Sequence, residues 1–274
     1  MTEERIGSML CPNCGKLIGI NTEACFHCGY KNPGIWNWSS RVRRLWEQYN
    51  FAQIVTTVCV ALYVISILLD PRAAFQPRGF MGFLAPSGAS LYLLGATGSF
   101  AFQEGSWWTL ITAIYLHGGL LHIFFNMLWV RQLAPEVEEL FGVSRLIVIY
   151  TFSGVSGFVL SNFMGIGLTI GASGAIFGLL GAIVSYGLMR GGSFGSEIYR
   201  QTLQSAIVLF LFGFFMPGVN NWAHGGGFIG GYLAAMLVGH ADVATERPWL
   251  QGLTLATLAV TVLSFALVIW RNLF

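Results

Sequence analysis

Two residues of the sequence have side chains suited to nucleophilic chemistry. Ser173 lies in a Gly-Ala-Ser-Gly segment at residues 171–174, and His224 lies in an Ala-His-Gly-Gly-Gly segment at residues 223–227. A serine hydroxyl is a poor nucleophile until a neighbouring base takes its proton, and histidine is the usual base near neutral pH. Each residue lies near the start of a long apolar stretch, where a polar side chain is costly and is by default a candidate functional residue. The pair therefore predicts a serine activated by histidine inside a membrane.

The composition is that of a polytopic membrane protein. Charged residues make up 9% and hydrophobic residues 55% of the 274 residues, whereas roughly 25% of a typical soluble domain is charged. The mean hydropathy is +0.66. The 35 glycines indicate closely packed helices, since glycine is tolerated where no water competes for backbone hydrogen bonds. These values exclude an ordinary soluble domain, and we expect a lipid bilayer and no nucleic acid among the partners.

Seven apolar segments have roughly the length of a membrane crossing. They are Phe51–Leu69, Leu120–Leu133, Leu146–Met164, Gly171–Met189, Leu203–Met216, Trp222–Val238 and Trp249–Trp270. The second and fifth are short and need flanking residues to span. Between the first and second crossings, about fifty residues contain only short, broken apolar runs. We expect this first loop to lie half-submerged in the outer leaflet; the alternative is an eighth crossing broken by Pro86 and Gly88.

The distribution of Lys and Arg predicts a cytoplasmic N-terminus. In that orientation eleven of the 14 basic residues lie on the cytoplasmic side, and Arg72, Arg78 and Arg271 lie on the other side. The strongest anchor is the basic cluster at residues 41–44, directly before the first crossing. We expect no cleavable signal peptide, because the first apolar run of spanning length begins at residue 51.

Four of the five cysteines form two Cys-x-x-Cys pairs, Cys11 with Cys14 and Cys25 with Cys28, separated by ten residues. A glycine follows each pair and lets the chain turn so that backbone amides point at the sulfurs. This spacing predicts a structural zinc ion bound by four thiolates. Two disulfides are the alternative, which a reducing cytosol disfavours, and His27 could replace one cysteine. A closed site of this kind has no open position for water, so we expect no catalytic cofactor.

The chain divides into three parts. Residues 1–34 form the expected zinc ribbon, and residues 35–50 form a linker that approaches the membrane interface with Trp36 and Trp38. Residues 51–274 form the expected transmembrane domain.

The second crossing carries polar side chains that could stabilise negative charge. His122 and Asn126 are four residues apart and share one face of a helix, and His117 lies near the same end. Together they offer N–H donors, which a developing oxyanion requires. Each residue taken alone would more simply bond across helices and hold the bundle together. The serine and the second histidine on other crossings favour the catalytic interpretation.

Small residues predict that the serine and histidine helices touch. Gly174 and Gly178 form a stripe on the serine helix, and Gly227 and Gly231 follow His224 at helical spacing. Close contact along these stripes would bring the imidazole within hydrogen-bond reach of the hydroxyl.

No carboxylate lies near either residue on these two helices, so the sequence predicts a Ser–His dyad instead of a triad. Ser173 lies in the first turn of its helix, where the macrodipole favours negative charge. Phe177, one turn further along, could hold the imidazole of His224 by ring contact.

Taken in order, these motifs resemble the rhomboid family of intramembrane serine proteases. The resemblance covers roughly residues 51–274. It is carried by Trp107-Trp108, by the run from Leu116-His117-Gly118-Gly119 through His122 to Asn126-Met127, by Gly171-Ala172-Ser173-Gly174, and by Ala223-His224 with Gly227 and Gly231.

The resemblance implies a fold and a set of roles. The fold is an all-α, rhomboid-like helix bundle with a six-helix core and one additional C-terminal crossing. Ser173 would be the nucleophile and His224 the general base, with His122, Asn126 and the Ser173 amide as the oxyanion hole. His117 would support this site.

The resemblance also assigns three further features. Glu138 corresponds to a structural glutamate that tethers the second helix end, and Met216–Trp222 corresponds to a mobile cap over the active site. Thr109 stands where the family usually has an arginine that braces the first loop. That departure puts the rigidity of the loop in doubt more than the activity. A zinc ribbon is found on some bacterial members, so we expect a multi-pass protein of a bacterial inner or plasma membrane.

The function expected from the resemblance is intramembrane serine endopeptidase activity on transmembrane helices of other membrane proteins. The alternative is a catalytically inactive rhomboid-like protein that binds membrane clients, which the presence of both Ser173 and His224 disfavours. A metalloprotease would need a motif such as His-Glu-x-x-His, and a transporter would need acidic groups within the membrane; the sequence has neither.

Overall fold

The structure is a computed structural model that describes residues 8–11, 14–19, 22–29, 50–76, 82–239 and 248–273. Residues 35–49 of the predicted linker, the basic cluster at 41–44 and Arg78 lie outside these residues. The described N-terminal part contains two short antiparallel strands, β1 (Ser8–Leu10) and β2 (Leu17–Gly19).

The rest of the described chain is helical. Its helices are α1 (Phe51–Leu69), α2 (Pro71–Ala74), α3 (Gly88–Leu93), α4 (Ser99–Gln103), α5 (Thr109–Thr112), a 3₁₀ turn (Ala113–Tyr115), α6 (Leu120–Phe141), α7 (Val143–Phe163), α8 (Ser173–Arg190), α9 (Gly192–Phe215), α10 (Asn221–Val238) and α11 (Pro248–Leu273). The predicted all-α class is confirmed for the described transmembrane part.

All seven predicted crossings are helical, but they are not equally apolar. Within the described residues, α1, α7, α8, α9 and α11 are long and apolar enough to span a bilayer. A sixth span results if α5 and the 3₁₀ turn are counted with α6, to which they are bent by 93°. The remaining helix, α10, has 18 residues but includes Asn221, His224 and five glycines. Its polarity is tolerated because it packs between α7 and α8.

The buried core of the bundle is built around α8, which packs against α6, α7, α9 and α10. Most residues of α7 and α8 are buried, whereas fewer than a third of the residues of α1, α9 and α11 are. This is the pattern of inner helices surrounded by lipid-facing ones.

In its described residues, 70–76 and 82–119, the first loop contains only short helices, α2 to α5 and the 3₁₀ turn, none longer than six residues. No additional crossing forms in the described part of the loop, which agrees with the preferred prediction. The loop contacts the bundle through Leu91, Ala96 and Leu116, which form a small buried cluster.

A buried cation holds two helix ends together at the far end of the bundle from the first loop. Arg145 is only 7% exposed. Its Nη1 donates to the Phe141 carbonyl (3.0 Å), and its Nε donates to the Val238 carbonyl (3.1 Å). These carbonyls lie at the C-terminal ends of α6 and α10, where unpaired oxygens and the helix dipole favour a positive charge. This role of Arg145 was not predicted from the sequence.

Candidate active site

The side chains of Ser173 and His224 meet at the contact between α8 and α10. Nε2 of His224 lies 2.9 Å from Oγ of Ser173, which is hydrogen-bond distance. Ser173 begins α8 and is half-buried, and His224 lies in the first turn of α10 and is buried. A histidine nitrogen at this distance can take the hydroxyl proton when the oxygen attacks a carbonyl carbon.

The imidazole of His224 is held by a ring stack. The ring of Phe177 lies 4.3 Å from it, centroid to centroid, with an angle of 17° between the planes. Among the described residues, Nδ1 of His224 has no hydrogen-bond partner. No carboxylate of the described residues bonds to this nitrogen, so the ring is held by an aromatic face.

Glycines allow the two helices to approach until their backbones touch. A methyl group on Gly227 would overlap the Gly174 backbone, and one on Gly231 would overlap the Gly178 backbone. These are the two stripes that the sequence predicted to meet. At this separation even an alanine would push α10 away from α8, so the glycines set the distance between the serine and the histidine.

His122 faces the segment that precedes the serine. Its Nδ1 accepts a hydrogen bond from the Gly118 amide (3.2 Å), so the neutral ring carries its proton on Nε2. A methyl group on Gly171 would lie 2.7 Å from that Nε2. Gly171 has φ +115, a conformation that favours glycine. The structure thus directs an N–H donor toward the backbone beside Ser173.

Asn126 and His117 surround His122. Nδ2 of Asn126 donates to the His122 carbonyl (2.8 Å), which leaves its second N–H free for another acceptor, while its Oδ1 has no partner among the described residues. His117 is 1% exposed, and its ring meets the His122 ring edge-on with centroids 5.1 Å apart. Asn126 therefore contacts the backbone of His122 and His117 contacts its ring, next to the segment that precedes Ser173.

Asn220, which was not predicted as a site residue, connects the elements that position Ser173 and His224. Its Oδ1 accepts from the amides of Trp222 (3.2 Å) and Ala223 (3.3 Å), which caps α10 just before His224. Its Nδ2 donates to Ser161 Oγ (2.5 Å) and to Thr169 Oγ1 (2.6 Å). One side chain thus ties the start of the histidine helix to α7 and to the loop before Ser173. Asparagine at a helix N-cap position was the available signal.

Three other residues or segments named from the sequence lie near the ends of helices. Glu138 is half-buried, and its backbone carbonyl accepts from the Gly142 amide that ends α6 (2.8 Å). The segment Met216–Trp222 turns between α9 and α10, with Gly218 at φ +81. Thr109 is buried, and its hydroxyl donates to the Ser106 carbonyl (2.7 Å). The tether and cap roles of the first two remain predictions.

The four cysteines of the N-terminal pairs lie together. Their sulfur atoms are all within 4.8 Å of one another, and the Cys11–Cys28 and Cys14–Cys25 sulfur pairs are each 3.7 Å apart. These separations are far longer than the roughly 2.05 Å of a disulfide. The cluster could bind a metal ion. His27 is not part of it; its ring packs on Phe26 instead, with centroids 4.2 Å apart.

A comparison with known proteins identifies the family of the helical part. Residues 104–241 match the family model described as "Rhomboid domain". This chain belongs to the rhomboid family. It is an integral, multi-pass membrane protein, as the family and its apolar helices indicate.

Relatives of this rhomboid-family chain occur in plants and bacteria. It is 36% identical over 199 residues to "RHOMBOID-like protein 5" of Arabidopsis thaliana, an alignment covering 69% of this chain and 64% of that protein. It is 34% identical over 179 residues to "Rhomboid protease GluP" of Bacillus subtilis (strain 168), covering 65% of this chain and 35% of that protein. It is 35% identical over 137 residues to "Putative rhomboid protease YdcA" of the same organism, covering 49% of this chain and 68% of that protein. The chain thus spans less than two thirds of the length of the first two relatives.

Proposed function

We propose that this chain is an intramembrane serine endopeptidase that hydrolyses peptide bonds in transmembrane helices of other membrane proteins. The observation that carries the proposal is the 2.9 Å distance between Nε2 of His224 and Oγ of Ser173. Membership of a family in which bacterial relatives bear the name rhomboid protease supports the same conclusion.

In the proposed acylation step, His224 is the base and Ser173 the nucleophile. Nε2 takes the hydroxyl proton while Oγ forms a bond to the scissile carbonyl carbon. The carbonyl oxygen then carries the negative charge of a tetrahedral intermediate. The protonated imidazole returns the proton to the leaving nitrogen, the C–N bond breaks, and the released amine is the new N-terminus of one fragment. The other fragment is bound to Ser173 as an ester.

Three N–H donors would stabilise the negative charge. The Nε2–H of His122 faces the Gly171 side of the serine segment, and the side-chain amide of Asn126 has an N–H free on the same helix. The Ser173 amide lies in the first turn of α8, where backbone N–H groups have no intrahelical acceptor. Donors fixed before the reaction stabilise a developing oxyanion without reorganisation.

Deacylation would use the same groups in the same order. His224 takes a proton from a water molecule, whose oxygen attacks the ester carbonyl carbon. The ester C–O bond breaks, Ser173 Oγ regains a proton from the imidazole, and the carboxylate fragment leaves. No cofactor enters either step.

We further propose the orientation predicted from the Lys and Arg distribution, with the N-terminus in the cytoplasm of a bacterium. The site would then lie toward the extracytoplasmic face, at the end of the bundle that contains the first loop. The proposed domains are the ribbon at 1–34, the linker at 35–50 and the protease domain at 51–274.

The experiment that tests the function is cleavage of transmembrane peptides by the purified full chain in lipid vesicles. A substrate helix must unwind to present its carbonyl, so we expect helices with glycine near the outer membrane edge to be cleaved faster than matched alanine helices. Glycine destabilises a helix by about 1 kcal/mol, which corresponds to roughly fivefold. Fragment masses give the rate and the cleaved bond. A wild-type chain that leaves a broad panel of such helices intact would contradict the proposal.

We propose that the cysteine cluster holds a structural zinc ion. Four sulfurs that surround a zinc ion as a tetrahedron, each bonded to it at about 2.3 Å, lie roughly 3.8 Å from one another. The Cys11–Cys28 and Cys14–Cys25 sulfur pairs are each 3.7 Å apart. Gly15 and Gly29 have positive φ, and their amides donate to the carbonyls of Cys11 (2.9 Å) and Cys25 (2.8 Å). These tight turns bring each cysteine pair around one centre.

We expect one zinc ion per purified chain and almost none in the variant Cys14→Ser/Cys25→Ser, because two thiolates no longer close the site. Mass spectrometry of metals measures the zinc, and the matched control Cys59→Ser changes a buried cysteine of α1 outside the cluster. A full zinc content in the double variant would contradict the assignment.

A further inference from the structure

Thr109 stands where the rhomboid family usually has an arginine, yet an arginine from elsewhere in the chain reaches the same loop. Arg271, at the end of α11, donates from Nη1 to Ser106 Oγ (2.6 Å), three residues before Thr109. We propose that Arg271 is a positioning residue that braces the first loop and, through it, the segment leading to Ser173. The inference rests on the function proposed above.

The guanidinium of Arg271 contacts several groups of the loop at once. Its Nη2 donates to Glu104 Oε2 (2.9 Å) and to Tyr92 OH (3.0 Å), and its central carbon lies 5.5 Å from the Tyr92 ring centroid. Tyr92 OH in turn donates to Glu104 Oε2 (2.7 Å). Hydrogen bonds from Tyr92 and Arg271 lower the pKa of Glu104, so the carboxylate stays charged. One planar group thereby joins α3, α4 and the start of the next turn.

Two neighbouring residues pack α11 against the first loop. Nδ2 of Asn272 donates to the Leu93 carbonyl (2.6 Å). Val268 packs so closely against Gly95 that a methyl group on that glycine would lie 2.7 Å from Cγ2 of the valine. Gly95 has φ +92 and lies two residues beyond the end of α3. The hydrogen bonds of Arg271 are therefore part of a packed contact between α11 and the first loop, unlike an isolated exposed ion pair.

Hydrogen bonds connect the first loop to residues 169–171, which lead to Ser173. The Thr109 hydroxyl, besides donating to Ser106, lies 3.1 Å from Thr97 Oγ1. The Thr97 carbonyl accepts from the Thr169 amide (2.7 Å), four residues before Ser173.

A second backbone bond lies nearer the serine. The Ala113 carbonyl accepts from the Gly171 amide (2.9 Å). A shift of the first loop would consequently move residues 169–171, the segment that leads to Ser173 and sets the position of its hydroxyl.

We expect Arg271 to affect the position of the first loop more than the free energy of unfolding of the whole protein. An exposed ion pair alone contributes little, and Glu104 and Arg271 are half-exposed at 54% and 41%. The loop consists of short helices, which are marginal by themselves. A few fixed contacts therefore decide how often the loop occupies the geometry that supports the site.

The test compares wild type, Arg271→Gln and Glu104→Gln as full-length proteins in detergent. Hydrogen–deuterium exchange should be about fivefold faster for the amides of residues 97–112 in both variants. In vesicles, kcat for a transmembrane peptide should fall about fivefold while KM stays within about twofold, because the reacting groups are displaced and substrate contacts are not. Arg271→Lys should recover part of both effects.

The matched control is Arg200→Gln. Arg200 forms an exposed ion pair with Glu197 on α9 (2.7 Å), away from the first loop. It should change neither the exchange of residues 97–112 nor kcat.

If Arg271→Gln does not fold, the double variant Arg271→Glu/Glu104→Arg, which exchanges the two charges, tests whether the ion pair positions the loop. It restores the opposite charges, so it should protect the loop better than either single change. Unchanged loop exchange in Arg271→Gln, or a reciprocal variant no better than the single changes, would overturn the inference. An inactive wild type whose loop exchange still depends on Arg271 would overturn the proposed protease function and leave the bracing intact.

Discussion

Replacing His224 with alanine should lower the rate of transmembrane-helix cleavage by about 10⁴- to 10⁶-fold. Without the imidazole, no side chain among the described residues is within hydrogen-bond distance of the Ser173 hydroxyl, which lies 2.9 Å from Nε2 in the intact protein. Ser173→Ala should be equally inactive, and the double variant no worse than either, because both residues act in one step. Initial rates of fragment release in vesicles measure the effect.

Two controls separate loss of chemistry from loss of fold. His27→Ala removes an exposed histidine of the N-terminal part, and Ser205→Ala removes an exposed serine of α9 whose hydroxyl donates only to the Gln201 carbonyl (3.0 Å). Both should retain wild-type rates. Cleavage within tenfold of wild type in His224→Ala would contradict the role of the base.

A single methyl group at Gly227 should reduce cleavage by at least about 100-fold. The added carbon of Gly227→Ala would overlap the Gly174 backbone one residue from Ser173, and backbone cannot rotate away as a side chain can. The helices must separate, which costs about 1–3 kcal/mol in the free energy of unfolding. Displacing a reacting group by about 1 Å costs roughly 100-fold in rate. Activity and thermal unfolding of the same preparation measure both effects.

Gly225→Ala is the matched control on the same helix. A methyl group at Gly225 would meet only the Phe210 ring at 3.8 Å, an ordinary contact. It should leave both rate and unfolding temperature close to wild type. If the two variants behave alike, the close approach of α8 and α10 is not what positions the histidine.

The fold was predictable because its signals are local. Apolar runs of spanning length located the helices, and the spacing of Gly174 and Gly178 against Gly227 and Gly231 identified the faces that meet. The rhomboid motifs named Ser173 and His224, which lie within hydrogen-bond distance, and His122, which lies beside Gly171. The Cys-x-x-Cys spacing likewise predicted the cluster of four sulfurs.

Features that depend on distant contacts were not predictable. Arg145 was counted only as a cytoplasmic charge, because its partner Val238 is 93 residues away. Arg271 was counted as an outer-side charge, although it bonds Ser106 across 165 residues. The contact of α10 with α7, which helps to bury its polar first turn, was likewise not predicted.

The most direct test of the account is labelling of the serine by a fluorophosphonate, a reagent that reacts with activated serine hydroxyls. We expect one adduct per wild-type chain, located on Ser173 by peptide mass spectrometry, and none in Ser173→Ala. Labelling should be slower by orders of magnitude in His224→Ala, because the hydroxyl then lacks its base. An unlabelled wild type, an adduct on another serine, or labelling that does not depend on His224 would contradict the account.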